Sequence, residues 1–556
     1  MGTTLTKPVL LDETGQEIVD KLDEIKTAIG STGEFIPVMI KVTTPPTKTT
    51  YGAGEALDLT GMVVTLYASN GMTFDVTGDC TFSPANGATL TSQNTSVDIS
   101  YTWYETQTTF TTVQNLNIRT LTSIAVTTPP TLTEYYEGET LDLTGIVVTA
   151  TFDNGSTQAV TSDCIFSPAN GATLTTNDNL INISYTMSGV TKTTTQTITI
   201  NVETYGVEWD GTADPTMERT DLAENFVEPV PFYTGMSGNP SSPFDEVLPW
   251  SGMERIQDSN AGVLVKIPKF YYKLSTDEGK FKLQISAKAQ AGFYTSPAHA
   301  DRGDGSGERD YVYVGAYHCS SSNYKSLSGA TPKASITRET ARTNIHNLGT
   351  EIYQWDKALL TTIQMLYLVE FASWDSQEKI GYGCSDAGSV QSSGITDSFN
   401  YHTGTNATSR QSYGHVKYRW IEDLWGNVHD WLDGVYAISD EYYCIKNPNY
   451  FSDSQYGEDM GLVASNSEWV PTSMVASNVS GYEWFFVPST NTATPGTWTT
   501  YITDMSSGGS FGRTCVYVGA GSLQKKYTGL FFVYRLNTSS TADNVGCRLM
   551  KLPTNT

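Results

Sequence analysis

Four carboxylates crowd one short stretch of the chain: Glu422, Asp423, Asp430 and Asp433. Paired carboxylates could serve as proton donor and base in glycoside hydrolysis. Their setting favours a plainer role, because they alternate with Trp425, Trp431, Gly426 and Gly434, and they read as solvated turn acids. Metal chemistry has less to work with. The six histidines, at 299, 318, 346, 402, 415 and 429, show no HxxxH or HxxxE spacing that would set two ligands on one helical face. The segment DRGDGSGERD at 301–310 fails the D-x-[DN]-x-[DN]-G pattern of a calcium loop and reads as a flexible surface loop. No cofactor is expected, and a structural calcium has no support in the sequence. Seven cysteines stand singly at 80, 164, 319, 384, 444, 515 and 547 with no CxxC, which predicts reduced, mostly buried thiols.

The composition narrows the function classes. The 556 residues carry 33 Lys+Arg against 59 Asp+Glu, a net charge of −26, and only 17% are charged. No basic face is present for phosphate contacts, so nucleic acid is set aside as a partner. No apolar run approaches the 18 residues of a membrane span, and the opening MGTTLTKPVLLDETGQE has no basic-then-apolar secretory signal. Thr, Ser, Asn, Gly and Tyr fill the deficit of charge and favour strands and turns.

The elements follow from pattern. Residues 16–29 place Ile18, Leu22, Ile25 and Ile29 on an a/d seam between Gly15 and Gly30, which predicts a short helix for attachment or oligomerisation, a homotrimer by its isoleucines. An internal repeat follows at a constant offset: VTTPPT at 42–47 recurs at 126–131, LDLTG at 57–61 at 141–145, and CTFSPANGATL at 80–90 as CIFSPANGATL at 164–174. Each copy runs an alternating strand into an Asn-Gly pair, Asn70-Gly71 or Asn154-Gly155, predicting a type I′ hairpin in a β-sandwich. Ten of the 11 tryptophans lie beyond residue 204, where RETARTNIHNLG and 356–373 are the best helices, the latter with Leu359, Ile363, Leu366 and Glu370 at helical intervals. The expected fold is multidomain and mostly β: a helix in 1–36, sandwiches at 37–120 and 121–203, and an α+β domain at 204–556.

The two repeats resemble bacterial immunoglobulin-like domains, with one equivalent cysteine each, Cys80 and Cys164, and so no disulfide within a domain. That implies structural spacers. Three phrases of the last domain, Arg419–Gly434 (RWIEDLWGNVHDWLDG), SGGSFGR at 507–513 and NVGCRLMKLP at 544–553, resemble the formylglycine-generating-enzyme branch of C-type lectin-like folds. KIPKFYYK (266–273), GFYTSPAH (292–299) and YVYVGAY (311–317) are similar to phage tail proteins of that branch. The enzymes of the branch use a cysteine pair near the closing phrase; here Cys515 is followed five residues later by Ala520, so the resemblance implies binding and no catalytic residue.

Between the closing phrases, 510–543 mixes Phe511, Arg513, Tyr517, Lys525, Tyr527, Phe532, Tyr534 and Arg535 with small residues, a paratope-like composition. In lectin-fold proteins of this branch, including targets of diversity-generating retroelements, this bracket holds the ligand-binding residues. The resemblance implies a non-enzymatic phage tail receptor-binding protein: attached to other tail proteins by its N-terminus, carried in the virion, and contacting a glycan or protein on the bacterial surface. The alternatives are a bacterial adhesin of intimin-like layout and an enzyme of the formylglycine-generating type.

Overall fold

The structure, a computed structural model, describes residues 35–212, 214–276, 280–463, 471–491, 506–508, 513–519, 521–522, 528–537, 540–541 and 544–554. The seam residues Ile18, Leu22, Ile25 and Ile29, and the candidate binding residues Phe511, Lys525 and Tyr527, lie outside the described residues. The chain is multidomain and mostly β. It divides into two compact units, one ending at Asn201 and one beginning at Val202.

In the first unit the repeat folds twice in the same way. β1 (Pro37–Thr44), β2 (Val63–Ala68), β3 (Ser96–Trp103) and β4 (Thr108–Asn115) have counterparts in β5 (Leu121–Thr128), β6 (Val147–Phe152), β7 (Leu180–Met187) and β8 (Val190–Thr197). β1 pairs antiparallel with β2, and β3 with β4; the second copy repeats both pairings. Period-two alternation sends Val64 and Leu66 inward against Ile40, Val97 and Ile99, and Val148 and Ala150 against Ile124, Ile181 and Ile183. Cys80 and Cys164 are free and half-buried. Burial, with Asp79 and Asp75 nearby, pushes the Cys80 thiol up to about 11.

The Asn-Gly turns differ from the expected type I′. Only the glycines take positive φ, +80° at Gly71 and +77° at Gly155. Ala68 N–H donates to Met72 O at 3.0 Å and Gly71 N–H to Ala68 O at 3.0 Å, so three residues form the loop. That is a type I turn closed by a left-handed glycine. The asparagine contributes its side chain instead: Asn70 Oδ1 accepts from Met72 N–H at 3.1 Å, and Asn154 Oδ1 from Ser156 N–H at 3.0 Å.

The second unit holds several sheets and a buried helix. One carries β9 (Tyr205–Trp209), and another β10 (Gly262–Pro268) against β12 (Tyr311–Gly315), with β11 (Phe281–Ser286) beside β9. Helices α1 (Arg338–His346) and α2 (Lys357–Phe371) follow, where the sequence places them. Asp356 caps α2 by accepting from Leu359 N–H at 2.9 Å. Every residue of α2 is buried, so Leu359, Ile363 and Leu366 mark one side of a helix that packs all round. The largest sheet runs β15 (Glu458–Val463), β14 (Glu441–Cys444), β13 (His429–Ile438), β16 (Arg513–Val518) and β17 (Val533–Asn537) in that spatial order. β18 (Val545–Gly546) lies parallel to the start of β13, and β19 (Leu549–Lys551) joins β12.

Candidate functional site

The four carboxylates of the Arg419–Gly434 phrase are not solvated. Glu422, Asp423, Asp430 and Asp433 are all buried, each within a set of donors. Asp430 meets Arg548 (Nε to Oδ2, 3.2 Å) and His318 (Nδ1 to Oδ1, 3.0 Å). Burial raises its pKa, but these two partners outweigh that and hold the carboxyl below its ordinary value. Asp433 receives a forked pair from Arg342 at 2.7 and 2.9 Å. The need arises in the backbone: between Leu432 and Tyr436 the register of β13 against β16 shifts, and the bulge frees carbonyls. Arg338, one turn before Arg342 on α1, donates from Nη1 to Leu432 O and Val435 O at 3.2 and 2.7 Å.

Glu422, Asp423 and His415 bring three potential ligand atoms within 4.8 Å of one another, the one such group among the described residues. Its lone pairs are already taken. Glu422 accepts from Gly394 N–H at 2.6 Å and from Thr396 N–H and Oγ1–H at 2.8 and 2.6 Å. Asp423 Oδ2 is 2.7 Å from His415 Nδ1 and accepts from Asn427 Nδ2 at 3.2 Å. Burial works against a charged His415, yet the Asp423 carboxylate pushes the imidazole up to about 11. A protonated histidine offers no lone pair, so the donor set fits an ion pair better than a cation site. Segment 301–310 is also anchored: Arg302 and Arg309 are buried, ion-paired with Asp356 and Asp304. Its two arginines therefore belong to the core of the unit and not to a flexible loop.

The surrounding phrase is held in detail. Gly426 has φ +87°, and a Cβ there would lie 2.5 Å from Cys384 N. Asn427, also at positive φ, accepts from Gln391 N–H at 2.8 Å and donates to Gln391 O at 3.0 Å. Trp425 donates to Gly381 O at 2.9 Å and Trp431 to Ile336 O at 2.6 Å. Cys515 is buried, and burial pushes its thiol up to about 12, which disfavours the nucleophilic thiolate.

The candidate binding residues separate into two groups. Directly opposed residues of neighbouring strands share a face, and the pairs Tyr436↔Tyr443, Ile438↔Arg513, Tyr436↔Cys515, Tyr443↔Asp459 and Tyr517↔Tyr534 define one. One end of that face is covered by α1, where Tyr517 and Phe532 pack with Ile336, Ala341, Ile345 and Trp431. These two are core residues, not exposed ligand contacts. Arg535 points to the other face, is buried, and pairs with Asp440 at 3.2 Å. Central strands bury both faces along much of their length, and of the described candidate residues in β16 and β17 Arg513 and Tyr534 are the part-exposed ones.

The other end of the face is open and carries an arginine on an aromatic bed. The Arg513 guanidinium sits 3.6 Å over the Tyr436 ring and 5.7 Å from the Tyr456 ring. Tyr436 and Tyr443 stack at 5.3 Å and 5°. Arg513 also donates from Nη2 to Gln455 O, while its Nε has no partner among the described residues. Tyr456 is 76% exposed and Val463 66%. Tyr436, Tyr443 and Tyr456 precede the 510–543 segment, and the local signal for them is the tyrosine density of 436–456.

Comparison with known proteins bears on the repeats. Residues 128–208 match the bacterial Ig-like domain (group 3) family. The Ig-like domain is compatible with adhesin-like or surface-binding proteins. No curated protein matches the chain.

Proposed function

We propose that the chain is a non-enzymatic receptor-binding protein of a phage tail. In this reading Ig-like spacers carry a C-type lectin-like head, spanning 204–556, to the bacterial surface, and Ile18, Leu22, Ile25 and Ile29 trimerise the base. The observation that carries it is the open end of the large sheet. Arg513 covers the buried Tyr436 ring and lies beside the part-exposed Tyr443 and the exposed Tyr456, an aromatic-arginine surface of the composition found at binding hot spots. The buried carboxylates, by contrast, are engaged by partners within the unit. Labelled full-length chain should bind cells of a strain that the parent phage infects and compete with adsorption of the phage. Wild-type binding unchanged in a Tyr443→Ala, Tyr456→Ala double variant of intact fold would sink this face as the receptor contact.

The Ig-like match also favours a second reading, a bacterial adhesin with the same spacer-and-head layout. Antibody against the head separates the two: it labels virions under the first and the producing cell's own surface under the second.

A further inference from the structure

A small cavity opens at the N-terminus of α2, lined by Arg302, Asp356, Lys357, Cys444, Lys446 and Trp484 among others. It has room for one water-sized occupant. Three of the lining side chains are cationic and one is anionic. Asp356 is already committed twice, to Arg302 Nη2 and, as the helix cap, to Leu359 N–H at 2.9 Å. Arg302 spends Nε on Lys446 O at 2.9 Å, yet its Nη1 is fully buried with no partner among the described residues. Lys357, the first residue of α2, is buried and makes no hydrogen bond or ion pair among the described residues. Its ammonium lies 5.4 and 5.1 Å from the rings of Phe485 and Phe486.

We propose that this cavity is a binding site for a single small monovalent anion of the halide class, chloride in a cellular setting. A buried guanidinium N–H without an acceptor costs its desolvation, and a buried ammonium without a counter-charge costs more. One halide ion meets both needs and also sits at the positive end of the α2 dipole. The three basic residues line one cavity. Burial, with the Asp356 carboxylate, pushes the Cys444 thiol up to about 12, while Arg302, Lys357 and Lys446 pull in the opposite direction. Burial also pushes the Lys357 ammonium down to about 7, so in an empty cavity it would give up its proton near neutral pH. An anion keeps it charged. The small room within the cavity favours a single-atom anion over sulfate, phosphate and carboxylate ligands, which bring several oxygens.

Thermal unfolding of the full chain at pH 7, followed by tryptophan fluorescence, tests this in sodium chloride against sodium gluconate at matched ionic strength. Chloride should raise Tm saturably where gluconate does not. Lys357→Met should weaken the chloride midpoint at least about tenfold, since it removes a buried charge partner. If that variant fails to fold, Lys446→Met, at a half-buried position, should shift the midpoint in the same direction. Crystals grown in sodium bromide should show one anomalous peak in the cavity. Equal Tm in the two salts, a chloride effect untouched in the folded variants, or a cavity without bromide would each overturn the proposal.

Discussion

Arg548 and Asp430 meet in the interior of the second unit, Nε to Oδ2 at 3.2 Å, across 118 residues of sequence. The same guanidinium donates to Gly315 O at 2.9 Å and to Glu422 O and Asp423 O at 2.8 and 3.0 Å, with its plane 5.6 Å from the Trp355 ring. One side chain from the closing phrase therefore ties together the Trp-rich phrase, β12 and the approach to α2.

Removing that side chain should be expensive. Arg548→Met keeps the length but leaves Asp430 with His318 alone and three carbonyls without their donor. The expected loss is about 3–5 kcal/mol, the range for breaking a buried ion pair from one side. Arg548→Lys should recover little, because an ammonium cannot fork to four acceptors. Urea unfolding followed by tryptophan fluorescence reads this unit, which holds ten of the 11 tryptophans. A loss under about 1 kcal/mol would contradict the keystone role.

The repeat makes a paired prediction. Tyr51 OH is 2.8 Å from the carbonyls of Lys48 and Asp58, and Tyr135 OH is 3.2 and 3.0 Å from those of Leu132 and Asp142. Each hydroxyl also accepts a backbone N–H, from Asp58 or Asp142, at 3.2 Å. Tyr51→Phe and Tyr135→Phe should each cost about 1 kcal/mol in their own sandwich. Calorimetry of the two single variants should show equal effects, and clearly unequal ones would mean that the copies are not energetically equivalent.

The sandwiches were legible in the sequence because their determinants are local. The alternation of Val64 and Leu66, and the glycine that closes each turn, lie within a few residues of what they organise. The turn type was missed because a three-residue and a two-residue loop share the Asn-Gly signal. The carboxylates were misread for the opposite reason. Asp433 is neutralised by Arg342 from 91 residues away and Asp430 meets Arg548 from 118, so no window around either acid contains its partner. The surroundings of the 510–543 segment were only partly legible. Arg513 was visible, but the backbone of Gln455 that it grips is 58 residues earlier, beyond any local pattern.

Two buried histidines should shape the pH profile in opposite directions. His299 lies 2.9 Å from Ile267 O through Nε2 and 2.7 Å from Ser296 Oγ through Nδ1, and burial pushes it down to about 4. The unfolded chain therefore takes up this proton first, and stability falls as pH drops from the ordinary 6.5 to about 4, then levels. The contribution is on the order of 3 kcal/mol. His415 has the reverse sign. Its stabilisation is complete below 6.5 and is lost as pH rises toward about 11. His299→Gln should flatten the acid limb of a stability–pH curve, and His415→Asn the alkaline limb. An unchanged limb in either variant would remove that histidine as its cause.

Stability and binding should separate cleanly on the large sheet. Phe532 is 1% exposed within the cluster beneath α1, so Phe532→Ala should cost about 3–5 kcal/mol and reduce binding only through misfolding. Tyr456 is 76% exposed against Arg513, so Tyr456→Ala should leave stability within about 0.5 kcal/mol. The same change should weaken cell binding about tenfold or more if Tyr456 is a hot spot. Arg513→Lys adds a discriminating case. It keeps the charge, but an ammonium loses the flat stacking on Tyr436 and the donation to Gln455 O. Binding that survives Arg513→Lys at full strength would show that charge alone matters there, and that the planar arginine-on-tyrosine surface is not what the receptor reads.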